Sequence, residues 1–147
     1  MIFAQSLPKK TEFDKNWSNP KKFPDHILLN YSDDPATTVS VTWRTSREIN
    51  RGFGEIAEAK ADPKFVLESE RFFAKTSNLR YSNVVNHYLN SKKSFKTLNH
   101  NYHSVTFTGL KPNTTYAYRV GDGEHWSEWI QFTTCLLYTS DAADDIP

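Results

Sequence analysis

Apolar and polar residues alternate with a period of two in several short segments of this chain. The clearest segment is TTVSVTWRT, in which Val39, Val41 and Trp43 alternate with serine, threonine and arginine. Successive side chains of a β-strand point to opposite faces, so this pattern predicts a strand with one apolar and one polar face. The same period predicts strands in DHILLNY (25–31), YHSVTFTGL (102–110), TYAYRV (115–120) and WSEWIQFTT (126–134).

The segments between these strands are less regular. GFGEIAEA, around Ile56, predicts a weaker strand, although the glutamates and alanines of 55–61 also favour a helix. DPKFVLESERFFAKT (62–76) has room for one or two further strands. Residues 78–101 are open between two interpretations, because their many asparagines favour a loop whereas several apolar residues lie at helical spacing.

Six or seven short strands without a convincing long helix predict an all-β fold. The expected architecture is an antiparallel β-sandwich of about seven strands, of the fibronectin type III or immunoglobulin-like kind. Residues 25–134 match the roughly 100 residues that such a sandwich needs. The residues expected to have structural roles are Val41, Trp43, Phe107, Leu110, Pro112, Tyr116, Ile130 and Phe132. For Trp43, a place in the core is favoured over a surface platform for sugars.

Composition narrows the classes of function. The 147 residues, 37% of them hydrophobic, are enough for one domain with a buried core. The net charge of +1 gives no electrostatic basis for nucleic-acid binding. No run of about 18 apolar residues is present, so no membrane span is expected. The single cysteine, Cys135, excludes intrachain disulfides and multi-cysteine metal sites.

The two ends of the sequence differ from its centre. Residues 1–24 are rich in lysine, proline and asparagine and predict an extended leader, and its start, MIFAQS, resembles the end of a secretory signal. A clipped signal peptide would favour a secreted or periplasmic location, and the alternative is an arbitrary N-terminus. Residues 135–147 begin CLLYTSDAADD, which resembles a translated sequencing-library adapter, and the segment is therefore left out of the fold prediction. The alternative is a native flexible tail or a linker.

The segment GDGEHW (121–126) combines an aspartate, a glutamate and a histidine between glycines and a tryptophan. A metal site needs several ligands that converge with fixed geometry, and this segment supplies two at most. Glycine accepts positive φ without penalty and aspartate tolerates a left-handed turn. The segment is therefore interpreted as the turn of a β-hairpin.

The segment before this hairpin carries a more specific pattern. GLKPNTTYAY places Leu110, Pro112 and Tyr116 in the spacing L-x-P-x-x-x-Y. This spacing resembles the tyrosine corner of fibronectin type III domains, in which the ring packs inward and the hydroxyl bonds to nearby backbone. Tyr116 is therefore expected to hold the crossover between the two sheets.

Longer stretches resemble the N-terminal domain of purple acid phosphatases and of related bacterial metallophosphoesterases. The likeness lies in DPATTVSVTW, HSVTFTGLKPNTTY and YRVGDG followed by WSEW, and it covers roughly 24–60 and 102–134. The resemblance implies that the sandwich precedes a calcineurin-like catalytic domain of the same chain. It further implies that this partner domain binds two metal ions, commonly iron with zinc, manganese or a second iron, and hydrolyses phosphate esters.

No catalytic residue of that family can be transferred to this chain. The family's metal site needs Asp-x-His, Gly-Asp-x-x-Asp or -Tyr, and Gly-Asn-His-Glu or -Asp motifs. Here Asp25 and His26 are adjacent, GDGEH lacks the ligand at the fourth position, and LNHN lacks the glycine and the acid. Because two-metal hydrolysis needs enough ligands to hold ions about 4 Å apart, no catalytic residue, metal ligand or cofactor is expected in this segment.

One region has an uneven charge distribution. Between Arg71 and Gly121 there are eight lysines and arginines and no aspartate or glutamate. One interpretation is that their partners are the acids of residues 12–70. The other is that the stretch 78–101 attracts anionic phosphate substrates to a neighbouring active site. The residues that would do so are Lys92, Lys93, Lys96 and His87.

The sequence is compatible with two candidate functions. The first is a noncatalytic N-terminal domain of a secreted purple acid phosphatase-like enzyme, whose own activity is metal-dependent hydrolysis of phosphate esters. The second is a free-standing fibronectin-like module that binds protein or carbohydrate. A fold alone does not choose between them.

Overall fold

Two four-stranded antiparallel sheets make up the fold. The structure is a computed structural model that describes residues 19–81 and 98–137. Its first sheet has the strand order β1-β2-β6-β5 and its second β4-β3-β7-β8. The strands are β1 Asp25–Tyr31, β2 Val39–Ser46, β3 Phe53–Glu58, β4 Glu70–Phe73, β5 Lys75–Tyr81, β6 Leu98–Phe107, β7 Thr115–Gly121 and β8 Ile130–Thr133. The predicted sandwich of antiparallel strands is confirmed.

The core lies between the two sheets. In the first sheet Val41 faces Val105 across the β2–β6 ladder, and Trp43 faces His103. Because strand side chains alternate, the residues between them point to the outer face, as the Ser40–Thr106 hydroxyl pair at 2.8 Å shows. The fully packed core consists of Val39, Val41, Trp43, Ile56, Val105, Phe107, Leu110, Tyr116, Tyr118 and Val120.

The predicted structural residues occupy this core or its margin. Val41, Trp43 and Phe107 are completely buried, so Trp43 offers no surface to a sugar. Ile130 and Phe132 are half-buried on β8 and pack against the core from the edge of the second sheet. Of the apolar face expected for residues 25–31, Ile27 and Leu29 pack inward. Tyr31, at the end of the edge strand, is 56% exposed.

The centre of the second sheet depends on a close approach between the layers. A Cβ atom added to Gly54 would lie 2.7 Å from Cζ of Phe107 and 2.9 Å from Cγ1 of Val105. The glycine therefore lets β3 approach the aromatic ring of the opposite sheet, which a larger residue would push away.

The irregular segments do not all adopt the structure that their helix propensity favours. Residues 55–58 belong to strand β3, paired with both β4 and β7, and the helix that their composition also favoured does not form. Cross-strand pairing and burial on both faces outweigh a weak helical preference. A 3-10 helix at Pro63–Glu68 follows, capped by the Asp62 carboxylate, which accepts the Lys64 amide at 2.9 Å.

The stretch 78–101 is strand at both of its ends. Residues 78–81 extend β5 and residues 98–101 begin β6, with Tyr81 opposite Leu98. The helix considered for 78–101 would have to lie within 82–97, which is outside the described residues. The leader is similarly divided: residues 1–18 are outside the described part, whereas the Lys21 carbonyl accepts the Ser46 amide at 2.8 Å.

The first edge strand is interrupted near its start. The register between β1 and β2 shifts between Asp25 and Leu28, and His26 has a positive φ of 49°. This is a β-bulge, which bends the strand locally. At the other end of the domain, the Cys135 amide donates to the Pro35 carbonyl at 3.0 Å, so the first residue of the excluded tail is attached to the fold.

Candidate functional site

The GDGEHW segment is the first candidate for chemistry, and its polar groups are used within a turn. The Asp122 carboxylate accepts the amides of Glu124 at 2.9 Å and His125 at 2.6 Å. Nδ1 of His125 lies 3.0 Å from the other carboxylate oxygen. Gly123 has a φ of 106°, the left-handed region that favours glycine. Burial raises the pKa of Asp122, but these hydrogen bonds outweigh it and the pKa is lowered.

The interpretation of GDGEHW as a hairpin turn is confirmed. Strands β7 and β8 pair antiparallel on either side of it, and an isolated bridge joins Gly121 to Trp126. The connection is longer than the sequence suggested, because residues 127–129 belong to no strand and β8 begins only at Ile130. Within residues 19–81 and 98–137, no three histidine, cysteine, aspartate or glutamate side chains come together as metal ligands could.

The crossover into β7 has the geometry of a tyrosine corner. The Tyr116 hydroxyl accepts the backbone amide of Lys111 at 2.9 Å. The Tyr116 ring is 8% exposed and stacks on Phe132 with centroids 5.9 Å apart. Leu110 is buried beside it, and its amide donates to the Thr37 carbonyl at 3.0 Å, which joins the crossover to the first sheet. The half-buried Pro112 accepts the Thr114 hydroxyl at 2.9 Å through its carbonyl.

His103 occupies a buried polar site that the sequence analysis did not single out. The hydroxyls of Thr45 and Thr76 each lie 2.8 Å from one of its ring nitrogens, so the imidazole links three strands of the first sheet. Its ring stacks on Trp43 with centroids 5.2 Å apart. Burial lowers the pKa of His103 to about 4, which keeps the imidazole neutral near pH 7.

A sequence signal for this site was present. His103 lies two residues before Val105 and four before Phe107, so it shares the inward face of β6 with both. A histidine at an inward position needs partners for its ring nitrogens. Such partners come from β2 and β5, and their positions depend on the pairing register, which the pattern of one strand does not reveal.

The outer face of the second sheet carries the most elaborate group of charged side chains in the described residues. The Glu55 side chain is 7% exposed, and its Oε1 accepts Nε of Arg71 at 3.0 Å. Its Oε2 accepts Nε of Arg119 at 2.7 Å. The pairing register of the strands explains why these three side chains meet, because Glu55 on β3 faces Arg71 on β4 and Arg119 on β7.

Aromatic rings separate these guanidinium groups. The Arg119 guanidinium lies 4.3 Å from the Trp126 ring centroid and 4.9 Å from that of Trp129. Arg71 lies 5.4 Å from Trp126 and 5.3 Å from Phe53. Such stacking is favourable because the face of an aromatic ring attracts a cation. We call the alternating series the Arg–aromatic ladder; it consists of Arg51, Phe53, Arg71, Trp126, Arg119 and Trp129.

The ladder depends on the charge of its single carboxylate. Burial raises the pKa of Glu55, but the hydrogen bonds and charges of Arg71 and Arg119 outweigh burial and lower the pKa. Glu55 is therefore ionised near pH 7 and holds the guanidinium groups of Arg71 and Arg119 by charged hydrogen bonds. Trp126 and Trp129 are half-buried on this outer face.

Replacing Glu55 with glutamine is expected to lower the free energy of unfolding by about 2 kcal/mol, because two charged hydrogen bonds lose their acceptor charge. Urea denaturation of the wild type and Glu55→Gln measures this difference. Glu58→Gln is a matched control on the same strand, since Glu58 pairs with Lys111 at the surface. Equal denaturation midpoints for the wild type and Glu55→Gln would contradict a stabilising role for the carboxylate.

The described members of the basic region do not form one patch. Arg71 and Arg119 bind Glu55, and Lys111 binds Glu58 at 2.9 Å. For these three residues the interpretation that acids of residues 12–70 are their partners is confirmed. His100 and His103 are buried rather than available to a substrate. The residues expected to attract substrate, Lys92, Lys93, Lys96 and His87, lie outside the described residues.

The strand order and the tyrosine corner define the class of the domain, a fibronectin type III-like β-sandwich. The chain belongs to the family of purple acid phosphatase N-terminal domains, whose family model matches residues 24–134. Nowhere in the described part of the chain is there a helix with the length and apolar character needed to cross a membrane.

Two solved structures are among those similar to this chain. The chain is similar to purple acid phosphatase PPD1 isolated from yellow lupin (Lupinus luteus) seeds, with a TM-score of 0.56, 17% identity, and coverage of 79% of this chain and 20% of that one. It is also similar to the FN1–FN3 domains of chicken CNTN1, with a TM-score of 0.47, 16% identity, and coverage of 79% and 31%. At 17% identity the likeness to the lupin enzyme shows the fold alone, and the chain spans about a fifth of that enzyme. Comparison with curated proteins gives no match.

Proposed function

We propose that this chain is the noncatalytic N-terminal domain of a secreted metallophosphoesterase of the purple acid phosphatase type. In this role it flanks and supports a catalytic domain that hydrolyses phosphate esters. The observation that carries the proposal is the match of the family model to residues 24–134, which is the whole of the sandwich. The signal-like start of the sequence supports secretion.

The use of the polar side chains within the domain is consistent with a supporting role. Asp122 and His125 hold a turn, His103 joins three strands, and Glu55 holds two arginines. As the family resemblance implies, the two-metal centre of the proposed enzyme, iron with zinc, manganese or a second iron, belongs to the catalytic domain. The described residues of this chain do not present a ligand set that fits it.

The test is to recover the nucleotide sequence downstream of codon 134 and to express the longer protein. The proposal expects a metallophosphoesterase domain in frame and hydrolysis of p-nitrophenyl phosphate by the longer protein, with none by the 147-residue chain. The same nucleotides show whether residues 135–147 are encoded by the gene or by an adapter. A stop codon or a series of adhesion-type repeats would overturn the proposal and favour the free-standing binding module, and turnover by the 147-residue chain would overturn the noncatalytic role.

Within the proposed enzyme, the basic residues of the stretch 78–101, namely Lys92, Lys93, Lys96 and His87, attract the anionic substrate. Neutralising Lys92, Lys93 and Lys96 together with glutamine is expected to raise KM for a phosphomonoester several-fold at low ionic strength, with little change in kcat. The effect should shrink as salt is added, because screening acts on exposed charges. Lys60→Gln and Lys64→Gln, just before and within the 3-10 helix, are control variants outside this stretch. An unchanged KM for the triple variant at low salt would contradict this role.

A further inference from the structure

The two outer faces of the sandwich differ in chemistry. The outer face of the first sheet carries short hydroxyl side chains at its centre, including Ser40, Thr42, Ser104 and Thr106. The outer face of the second sheet carries the Arg–aromatic ladder instead. Arginine and tryptophan stabilise this face by stacking and ion pairing, and they are also the residue types that are enriched at the centres of protein interfaces.

The ladder is already ordered before any partner arrives. The Glu55 carboxylate fixes one edge of both Arg71 and Arg119, and Trp126 lies against both guanidinium groups. Ordering long side chains is a main cost of forming an interface, so a surface with this cost already met binds more strongly. At the centre of the ladder Arg71 and Arg119 share the single carboxylate of Glu55, so this part keeps a positive charge, which suits a partner face with acidic groups.

An exposed aromatic side chain lies at the end of the ladder. Phe73 on β4 is 83% exposed, although its ring contacts Phe53 with centroids 5.3 Å apart. Leu67, on the neighbouring 3-10 helix, is 81% exposed. Large apolar side chains at these exposures beside preorganised arginines favour a protein partner over a small anion.

We propose that the ladder together with Phe73 is the surface against which the phosphoesterase domain of the same polypeptide docks. This inference rests on the proposed function. This chain covers about a fifth of the lupin phosphatase, so in that protein a sandwich of this kind is part of a much longer chain. The last strand, β8, is an edge of this same sheet, so a chain that continues past Thr133 leaves from the sheet that carries the ladder, at the end where Thr133 pairs with Thr115. The contact joins acidic groups of that domain to Arg71 and Arg119, with Phe73 buried at its margin.

The test compares the 147-residue chain with the longer protein by hydroxyl-radical footprinting of side chains. We expect the labelling rates of Phe73, Trp126 and Trp129 to fall several-fold in the longer protein, while that of Leu28, on the first sheet, stays the same. If the downstream domain is absent, the proposed function fails. If the domain is present and Phe73 is labelled equally in both proteins, only the docking surface is wrong.

A pair of matched variants separates docking from folding. Phe73→Asp changes a side chain that is 83% exposed, and Leu28→Asp changes one that is 61% exposed on the other sheet. Neither is expected to shift Tm of the 147-residue chain. In the longer protein, Phe73→Asp should restore labelling of Trp126 and Trp129 and Leu28→Asp should not; persistent protection in Phe73→Asp would overturn the proposal. A dimer of the 147-residue chain with these residues already protected would do the same, because a second copy would then be the partner.

Discussion

Tyr116→Ala is expected to lower the free energy of unfolding by about 3–5 kcal/mol, the usual cost of removing a buried aromatic ring. The ring stacks on Phe132 and is 8% exposed, so its removal leaves a cavity between β7 and β8. The hydroxyl adds a separate contribution, because it accepts the amide of Lys111 at 2.9 Å. Urea denaturation followed by tryptophan fluorescence gives the free energy of each variant.

Tyr116→Phe is the matched control for this experiment. It keeps the ring and removes only the hydroxyl, so the expected loss is about 1 kcal/mol. The order wild type, Tyr116→Phe, Tyr116→Ala therefore separates the backbone hydrogen bond from the packing of the ring. Equal melting temperatures for the three proteins would show that the corner does not hold the crossover between the sheets.

Acidification is expected to destabilise the domain through His103. The pKa of the buried imidazole is lowered to about 4, from 6.5 for an exposed histidine. Between these two values the unfolded chain binds a proton that the folded chain does not, so stability falls as the pH falls from 6.5 to 4. The loss from this one group is about 3 kcal/mol over that window and is complete below pH 4.

Two measurements isolate the contribution of His103 from that of the carboxylates. The first is the pH dependence of the unfolding free energy in the wild type and in His103→Gln, which keeps a polar group between Thr45 and Thr76. The variant should show a shallower decline between pH 6.5 and 4. The second is an NMR titration of the His103 ring in the folded wild type; a midpoint near 6.5 would contradict the burial argument.

The sandwich itself could be predicted because its signal is local. Alternation in TTVSVTW, SVTF and TYAYRV gives the inward sets directly, and those sets form the core that the structure shows. The tyrosine corner is equally local, since Leu110, Pro112 and Tyr116 lie within one turn and the start of one strand. Both depend on the period of a strand and on fixed spacing, which the sequence displays.

The Arg–aromatic ladder could not be predicted in the same way. Arg71, Arg119 and Glu55 stand far apart in the chain and meet only because β4, β3 and β7 pair in one register. The sequence presented Arg71 and Arg119 as members of a long basic stretch, and their common carboxylate lies outside that stretch. Charge counted along a chain describes neighbours in sequence, whereas ion pairs in a sheet depend on neighbours across strands.

The interruption of β1 has a consequence for association. An uninterrupted edge strand offers a row of free amide and carbonyl groups to which a strand of another molecule can add. The shifted register after Asp25 and the positive φ of His26 break that row near its beginning. Straightening the strand, for instance by deleting one residue of the bulge, would create a continuous template, and the altered chain should form β-rich aggregates at concentrations at which the parent chain remains monomeric.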